Sequence, residues 1–536
     1  MTTTATVPAG SSQMSADDQP RSPGGEARLR RHLLGRTPTD LMWGWVGPLL
    51  VAGVAGLLRF WRLDQPHQLV FDETYYVKQA YTLLQTGFEN KWPEDPDQRF
   101  TTGAVDIYLP ETDRAVHPPV GKWMIAFGEW LFGADSSFGW RFSAALVGTL
   151  SVLVLARTAR RLFGSTLLGV TAGLLLAVDG HHLVHSRTSL LDIFLSFWVL
   201  CAFAALVLDR DHSRRRLARA VAARRAVGQP PGRFGPSMGW RPLRLVAAVC
   251  LGLACGVKWS GLYYLAGFLV MSVLWDVGAR RAAGVRRWWW GAVVRDGLPA
   301  AATTLPLALA VYTASWAGWF RADASYLRQY AAQNPRDTPV PDALRSLWAY
   351  HRDMYEFHRG LTSDHTYMSN PWSWLVQGRP TSFFYEAHEK GQAGCVVDTC
   401  SKAITSLGNP VVWWCGTLAI AVLLVMWAGR RDWRAGAVLA GLGSGYLPWF
   451  QYQERTIYAF YAVAFTPFVV LGLTYTLGLV LGPRTAPPGR RLAGAAAAGA
   501  VVVLAVLATA WFWPVLTAEV IPQQQWRMRM WLPSWV

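Results

Sequence analysis

The chain has 536 residues, 52% of them hydrophobic and 16% charged, with 29 Trp and a formal net charge of +17. That balance is too apolar and too aromatic for a water-soluble globular protein of this length and points to a membrane protein. The positive excess lies in short arginine bursts between long apolar runs, so it reads as a topology signal and not as a nucleic-acid surface.

Residues 1–42 come first. They are rich in Ser, Pro, Gly and Arg and lack an apolar stretch or a small-residue cleavage site, so they are expected to be a disordered basic cytosolic tail and not a signal peptide. Runs near the ~20 apolar residues that span a bilayer follow at about 43–62, 140–156, 165–179, 188–208, 243–257, 260–278, 297–317, 411–428, 434–450, 457–481 and 493–514. The segment 119–133 (PVGKWMIAFGEWLFG) is expected to be an amphipathic helix on the membrane surface. Counting it as a span would carry Arg157, Arg160 and Arg161 to the outer side.

With about eleven transmembrane helices, the bursts at Arg28–Arg36, Arg157–Arg161, Arg210–Arg244, Arg280–Arg287, Arg430–Arg434 and Arg484–Arg491 all face one side, which is then the cytosol. The amino terminus is expected inside and the carboxy terminus outside. The expected fold is an all-α polytopic membrane protein. One module covers 43–317 and includes an outer loop at 63–118; a second outer loop covers 318–410, and a second module 411–536. No internal repeat, phosphate-binding loop, zinc spacing or nucleophile elbow is visible.

Chemistry-bearing residues gather at the ends of these spans. Asp72 and Glu73 follow the first span, and a carboxylate there can serve as a general base; a solvated acidic loop start would look the same. His117-Pro118-Pro119-Val120-Gly121-Lys122 opens the surface helix, where His117 and Lys122 could meet an anion or simply anchor a rigid turn. Arg141, Arg187, Asp192 and Lys258 lie at or within apolar runs, where an ionisable group is costly. Each alone could snorkel to the interface. Together with Glu454 and Arg455 they fall at one membrane face, which describes one site with carboxylates for base catalysis and cations for a phosphate, as a lipid would carry. Cys395 and Cys400 share a polar outer loop and are disulfide candidates, while Cys201, Cys250, Cys255 and Cys415 sit in apolar runs.

The Asp72-Glu73 pair, the His117–Lys122 segment, Arg187–Asp192, Gly256-Val257-Lys258-Trp259-Ser260-Gly261 and Leu407-Gly408-Asn409-Pro410 before Trp413-Trp414 resemble the protein O-mannosyltransferases, membrane enzymes of the C-type glycosyltransferase fold. The resemblance implies inverting, metal-independent transfer of mannose from a polyprenyl-phosphate-mannose donor to Ser or Thr of exported proteins, without a cofactor. Asp72 would be the base and Glu73 its acidic neighbour. Arg141, Lys258, His117, Arg187 and Asp192 would bind the donor. Implied partners are the lipid donor, exported acceptor proteins, membrane lipids and the protein export machinery, with no nucleic acid. Eukaryotic members carry a large β-trefoil domain for which the 318–410 loop is too short, which leaves acceptor recognition open.

An Arg-, Ala-, Gly- and Trp-rich composition points to a high-GC bacterium and hence to the plasma membrane. The rival within the fold moves aminoarabinose or arabinose to a glycan or lipid. A transporter would instead place its charges near the bilayer midplane.

Overall fold

The computed structural model describes residues 25–35 and 37–536. Each expected span coincides with a helix. Seven have the length and apolarity to cross a membrane: Trp43–Phe60, Ser137–Phe163, Leu191–Ala226, Gly261–Ala282, Trp288–Ser315, Pro410–Arg430 and Pro488–Leu516. Thr166–Ala177, Pro242–Val257 and Thr466–Leu481 are shorter apolar helices, and Trp433–Tyr446 completes the set before a 3-10 turn at Leu447–Gln451.

Local chemistry sets the ends. Ser136 Oγ accepts from the Gly139 N–H at 3.3 Å, and Ser165 Oγ from Leu168 at 3.4 Å, each satisfying an amide that a helix start leaves unpaired. Asn409 does more. Its Oδ1 accepts from the Val411 and Val412 amides, while its Nδ2 donates to Val178 O, Ala505 O and Thr509 Oγ1 at 2.7–3.3 Å. Trp413 Nε1 donates to Asp179 at 2.8 Å. The Leu407–Trp414 motif is therefore a buried staple joining three helices.

The surface segment forms the Val120–Phe132 helix. It buries Ile125, Ala126 and Glu129 and exposes Phe127, Trp130, Leu131 and Phe132, an aromatic face suited to lipid.

To the expected helices the structure adds an antiparallel sheet of order β1-β2-β3, with β1 Thr381–Glu389, β2 Thr399–Ser406 and β3 Val520–Pro522. Cys395 and Cys400 are joined as a disulfide at its hairpin end, Cα–Cα 5.8 Å.

The two long loops, 63–118 and 318–410, dock on each other. Arg114 donates to Asp353 at 2.6 Å, Tyr350 Oη to Ala115 O at 3.1 Å, and His358 Nε2 lies 2.7 Å from Val116 O. The amphipathic Asp342–Gly360 helix buries Leu347, Tyr350 and Met354 against Trp316 and Trp319. These contacts bring His358 beside His117.

At the opposite face the structure corrects one expectation. Within the tail expected to be disordered, Gly25–Leu34 is a helix whose Leu29 and Leu33 pack on Leu217, Ala218, Val221, Met238, Ala279 and Ala283. Residues 1–24 and 36 of that expectation lie outside the described residues. Leucines four apart give this helix an apolar stripe that a Ser- and Arg-rich composition masks. Several topology arginines also have buried partners: Arg241 holds Asp209 and Asp276, and Arg280 holds Asp296 at 2.6 Å.

Candidate active site at one membrane face

Asp72 sits directly before the Glu73–Thr86 helix, one residue after Phe71, whose φ of 52° lies in the left-handed region. A bulky side chain rarely adopts that conformation unless its surroundings hold it. Here Phe71 stacks on Phe383 of β1 at 4.7 Å and meets Phe460 edge-on at 5.4 Å. The small sheet thereby fixes the turn that aims Asp72.

The two neighbouring carboxylates have different surroundings. Glu73 is fully buried and accepts four bonds: two from Arg141 at 2.9 and 2.8 Å, one from Ser189 N at 2.8 Å and one from Val70 N at 3.0 Å. Asp72 is partly exposed, and among the described residues its carboxylate accepts one hydrogen bond, from Tyr76 Oη at 3.4 Å. Burial raises its pKa to about 6; Lys258 pulls it down, and Asp192 pushes it up. It is a carboxylate with free lone pairs, poised near neutral pH.

The predicted cations sort the same way. Arg141 is fully buried and commits every N–H, to Glu73 and to the carbonyls of Leu63, Pro66 and Gln68. It has no donor left for a phosphate. Arg187 gives its terminal nitrogens to Leu58, Arg59, Trp61 and Arg62 carbonyls, where a cation caps the carboxy end of the first spanning helix. Lys122 pairs with Glu89 and donates to His117 O at 3.0 Å.

Lys258 stays at the site. It donates to Asp192 at 2.7 Å and lies 5.2 Å from the Tyr461 ring centre. His117 packs against His358 at 5.0 Å and Tyr76 at 6.1 Å. Burial chiefly, then the Lys258 charge with His358, Lys122 and Arg455, holds His117 well below its ordinary value, and burial takes His358 down to about 4. Both imidazoles are neutral at pH 7.

Arg455 completes the set. Its charge reaches His117 and His358, yet among the described residues its guanidinium meets no hydrogen-bond or ion-pair partner, and its Nε is buried unpaired. Tyr452 anchors this turn by a 2.6 Å bond to Tyr263. The structure thus brings together Asp72, His117, Asp192, Lys258 and Arg455. It sets Glu73, Arg141 and Arg187 beneath them as scaffold. Tyr461, in an apolar run, and Tyr458, whose hydroxyl feels the Asp72 charge, escape sequence reasoning because aromatic residues there carry no distinguishing signal, and His358 escapes it because it sits in a charged loop helix far along the chain from His117.

Residues 107–315 match the profile described as dolichyl-phosphate-mannose-protein mannosyltransferase, and residues 343–535 that of the C-terminal four-span region of protein O-mannosyltransferase. Polyprenol-phosphate-mannose–protein mannosyltransferases of Mycolicibacterium smegmatis and Mycobacterium tuberculosis are 39% identical over 513 residues, covering 93% of this chain and 94% and 93% of theirs. The chain belongs to the protein O-mannosyltransferase family. A Corynebacterium glutamicum member is 34% identical over 480 residues, 87% of this chain and 88% of its own.

Among solved structures, the Saccharomyces cerevisiae Pmt1-Pmt2 complex bound to the sugar donor matches with TM-score 0.69 at 14% identity, over 95% of this chain and 94% of that one. ArnT from Cupriavidus metallidurans bound to undecaprenyl phosphate matches with TM-score 0.50 at 15% identity, over 89% and 77%. These likenesses show the fold, the C-type membrane glycosyltransferase fold expected from the sequence.

Proposed function

We propose that this protein O-mannosyltransferase family member transfers mannose from a polyprenyl-phosphate-mannose lipid to Ser or Thr hydroxyls of exported proteins. We place the site on the extracytoplasmic side of the plasma membrane, where the export machinery would deliver acceptors. The observation that carries the reading is a pair of differences: Asp72 is unneutralised beside saturated Glu73, and among the described residues the Arg455 guanidinium is unpaired whereas every Arg141 N–H is bonded.

In this reading the acceptor hydroxyl gives its proton to Asp72 as its oxygen attacks the anomeric carbon. The bond from that carbon to the phosphate oxygen breaks on the opposite side, so configuration inverts. The leaving phosphomonoester gains charge, which Arg455 and the Lys258 ammonium stabilise in place of protonation. Asp192 holds Lys258, and neutral His117 and His358 sit near Lys258 and Arg455 without adding charge that would compete for the phosphate. Arg141, Glu73 and Arg187 position the loop between the first span and Asp72.

A Thr-rich peptide incubated with membranes and radiolabelled polyprenyl-phosphate mannose tests the reading. Alkali-released label should be mannose, and Arg455→Gln should raise the donor KM by about 10–100-fold, as loss of a charged phosphate contact implies. Label transferred only from an aminoarabinose donor would favour the rival sugar; an unchanged KM would remove Arg455 from the phosphate.

A further inference from the structure

On the face opposite Asp72, the candidate span Trp288–Ser315 is 28 residues long with 17% of its apolar window buried, so most of its flank is open to lipid. It enters through a short helix, Trp288–Ala292, and a π-turn, Val293–Gly297. The extra residue in a π-turn rephases a helix and often marks a functional position. Here Asp296 points inward to bond Arg280 at 2.6 and 2.9 Å. Arg295, its neighbour, is exposed and has no partner among the described residues.

Arg295 lies five residues beyond Trp290, which is 59% exposed, and is flanked by Val294 at 49% and Leu298 at 61%. At 1.5 Å per residue that is about 7–8 Å into the span from an interfacial Trp. An arginine at that depth lowers its energy by extending its head back to the headgroup layer.

Other cations converge on the same rim. Arg286 and Arg287 are exposed, and Arg281 sits 5.5 Å above the Trp288 ring. Arg280 pins the loop at Phe234 O and Pro236 O at 2.9 and 3.0 Å, and Arg287 N bonds Arg233 O at 2.9 Å, which brings exposed Arg233 alongside. Between residues 226 and 300 the acids are Asp276 and Asp296, both buried in ion pairs. No acid within this stretch is therefore left to offset the rim's positive charge.

We infer that Arg233, Arg281, Arg286, Arg287 and Arg295 form a binding site for the headgroup phosphate of an anionic phospholipid in the leaflet opposite the active site. The neighbouring Trp289 and Trp290, 47% and 59% exposed, hold these cations at headgroup height and not out in solvent, which favours a lipid over a nucleic acid or an acidic protein. Planar guanidinium groups match a phosphodiester with paired hydrogen bonds.

The test is native mass spectrometry of the full-length chain in detergent, titrated with phosphatidylglycerol, phosphatidylcholine or inorganic phosphate. Wild type should retain phosphatidylglycerol preferentially. A variant carrying Arg286→Gln, Arg287→Gln and Arg295→Gln should hold it about tenfold more weakly or worse, while Arg484→Gln with Arg491→Gln, exposed elsewhere on this face, should not. Unchanged mannosyl transfer by the triple variant shows that it is folded, and if the triple variant fails to fold, Arg295→Gln alone should weaken retention of the lipid. Equal retention of phosphatidylcholine, displacement by inorganic phosphate, or full retention by the triple variant and by Arg295→Gln would overturn the inference.

Discussion

Burial holds the Asp72 carboxylate at about 6, with Lys258 pulling down and Asp192 pushing up. A base must be deprotonated to work, so kcat/KM should fall about tenfold per unit as pH drops below that value and level off above it. A profile that breaks near pH 4 would show that Asp72 is not desolvated in the free enzyme. Glu73, one residue away, carries a different burden. Glu73→Gln leaves the buried Arg141 guanidinium without a counter-charge, which should destabilise the fold by about 3–5 kcal/mol, read as earlier thermal unfolding in detergent. Normal stability with lost transfer would instead give Glu73 a chemical role. Sequence patterning flags Arg141, Arg187, Asp192 and Lys258 as charges that hydropathy disfavours, and the shared membrane face adds Asp72 and Arg455 to them alike. It does not distinguish a saturated arginine from a free one, because the carbonyls that saturate Arg141 come from a loop of residues 63–68 whose path no periodicity encodes.

The helices are legible because long apolar runs can satisfy their backbone in lipid in few ways. The loops are less so. β1 and β2 alternate only weakly between buried and intermediate or exposed positions, and the docking of the two long loops rests on single contacts such as Arg114 with Asp353. Yet this sheet and these contacts orient Phe71 and His358, so the least predictable elements position the site. The Asn409 staple is legible as a helix cap, Asn before Pro, though not as a junction. Asn409→Ala should lower stability by about 1–2 kcal/mol from the cap alone, and more as its bonds to Val178 and Ala505 are lost; an unchanged unfolding midpoint would contradict the staple. In the hairpin, denatured but unreduced chain should take alkylating reagent at Cys201, Cys250, Cys255 and Cys415 and not at Cys395 or Cys400. Labelling of all six thiols would contradict the disulfide.

At the scale of the molecule, the long Leu191–Ala226 helix begins beside Lys258 and ends in the arginine-rich face, so the site and the basic rim lie at its two ends. If arginine marks the cytosol, an alkaline phosphatase fused after residue 350 should be active and one fused after residue 225 inactive; the reverse would invert the orientation and put the site inside. The central claim remains the division of labour between two adjacent carboxylates. Its most direct measurement is transfer of labelled mannose from polyprenyl-phosphate mannose to a Thr-rich peptide by Asp72→Asn, in membranes matched to wild type for enzyme amount, with donor binding measured in parallel. Turnover should drop about 10²–10⁴-fold, as loss of a general base implies, while the donor stays bound. Near-normal transfer by Asp72→Asn would contradict the account.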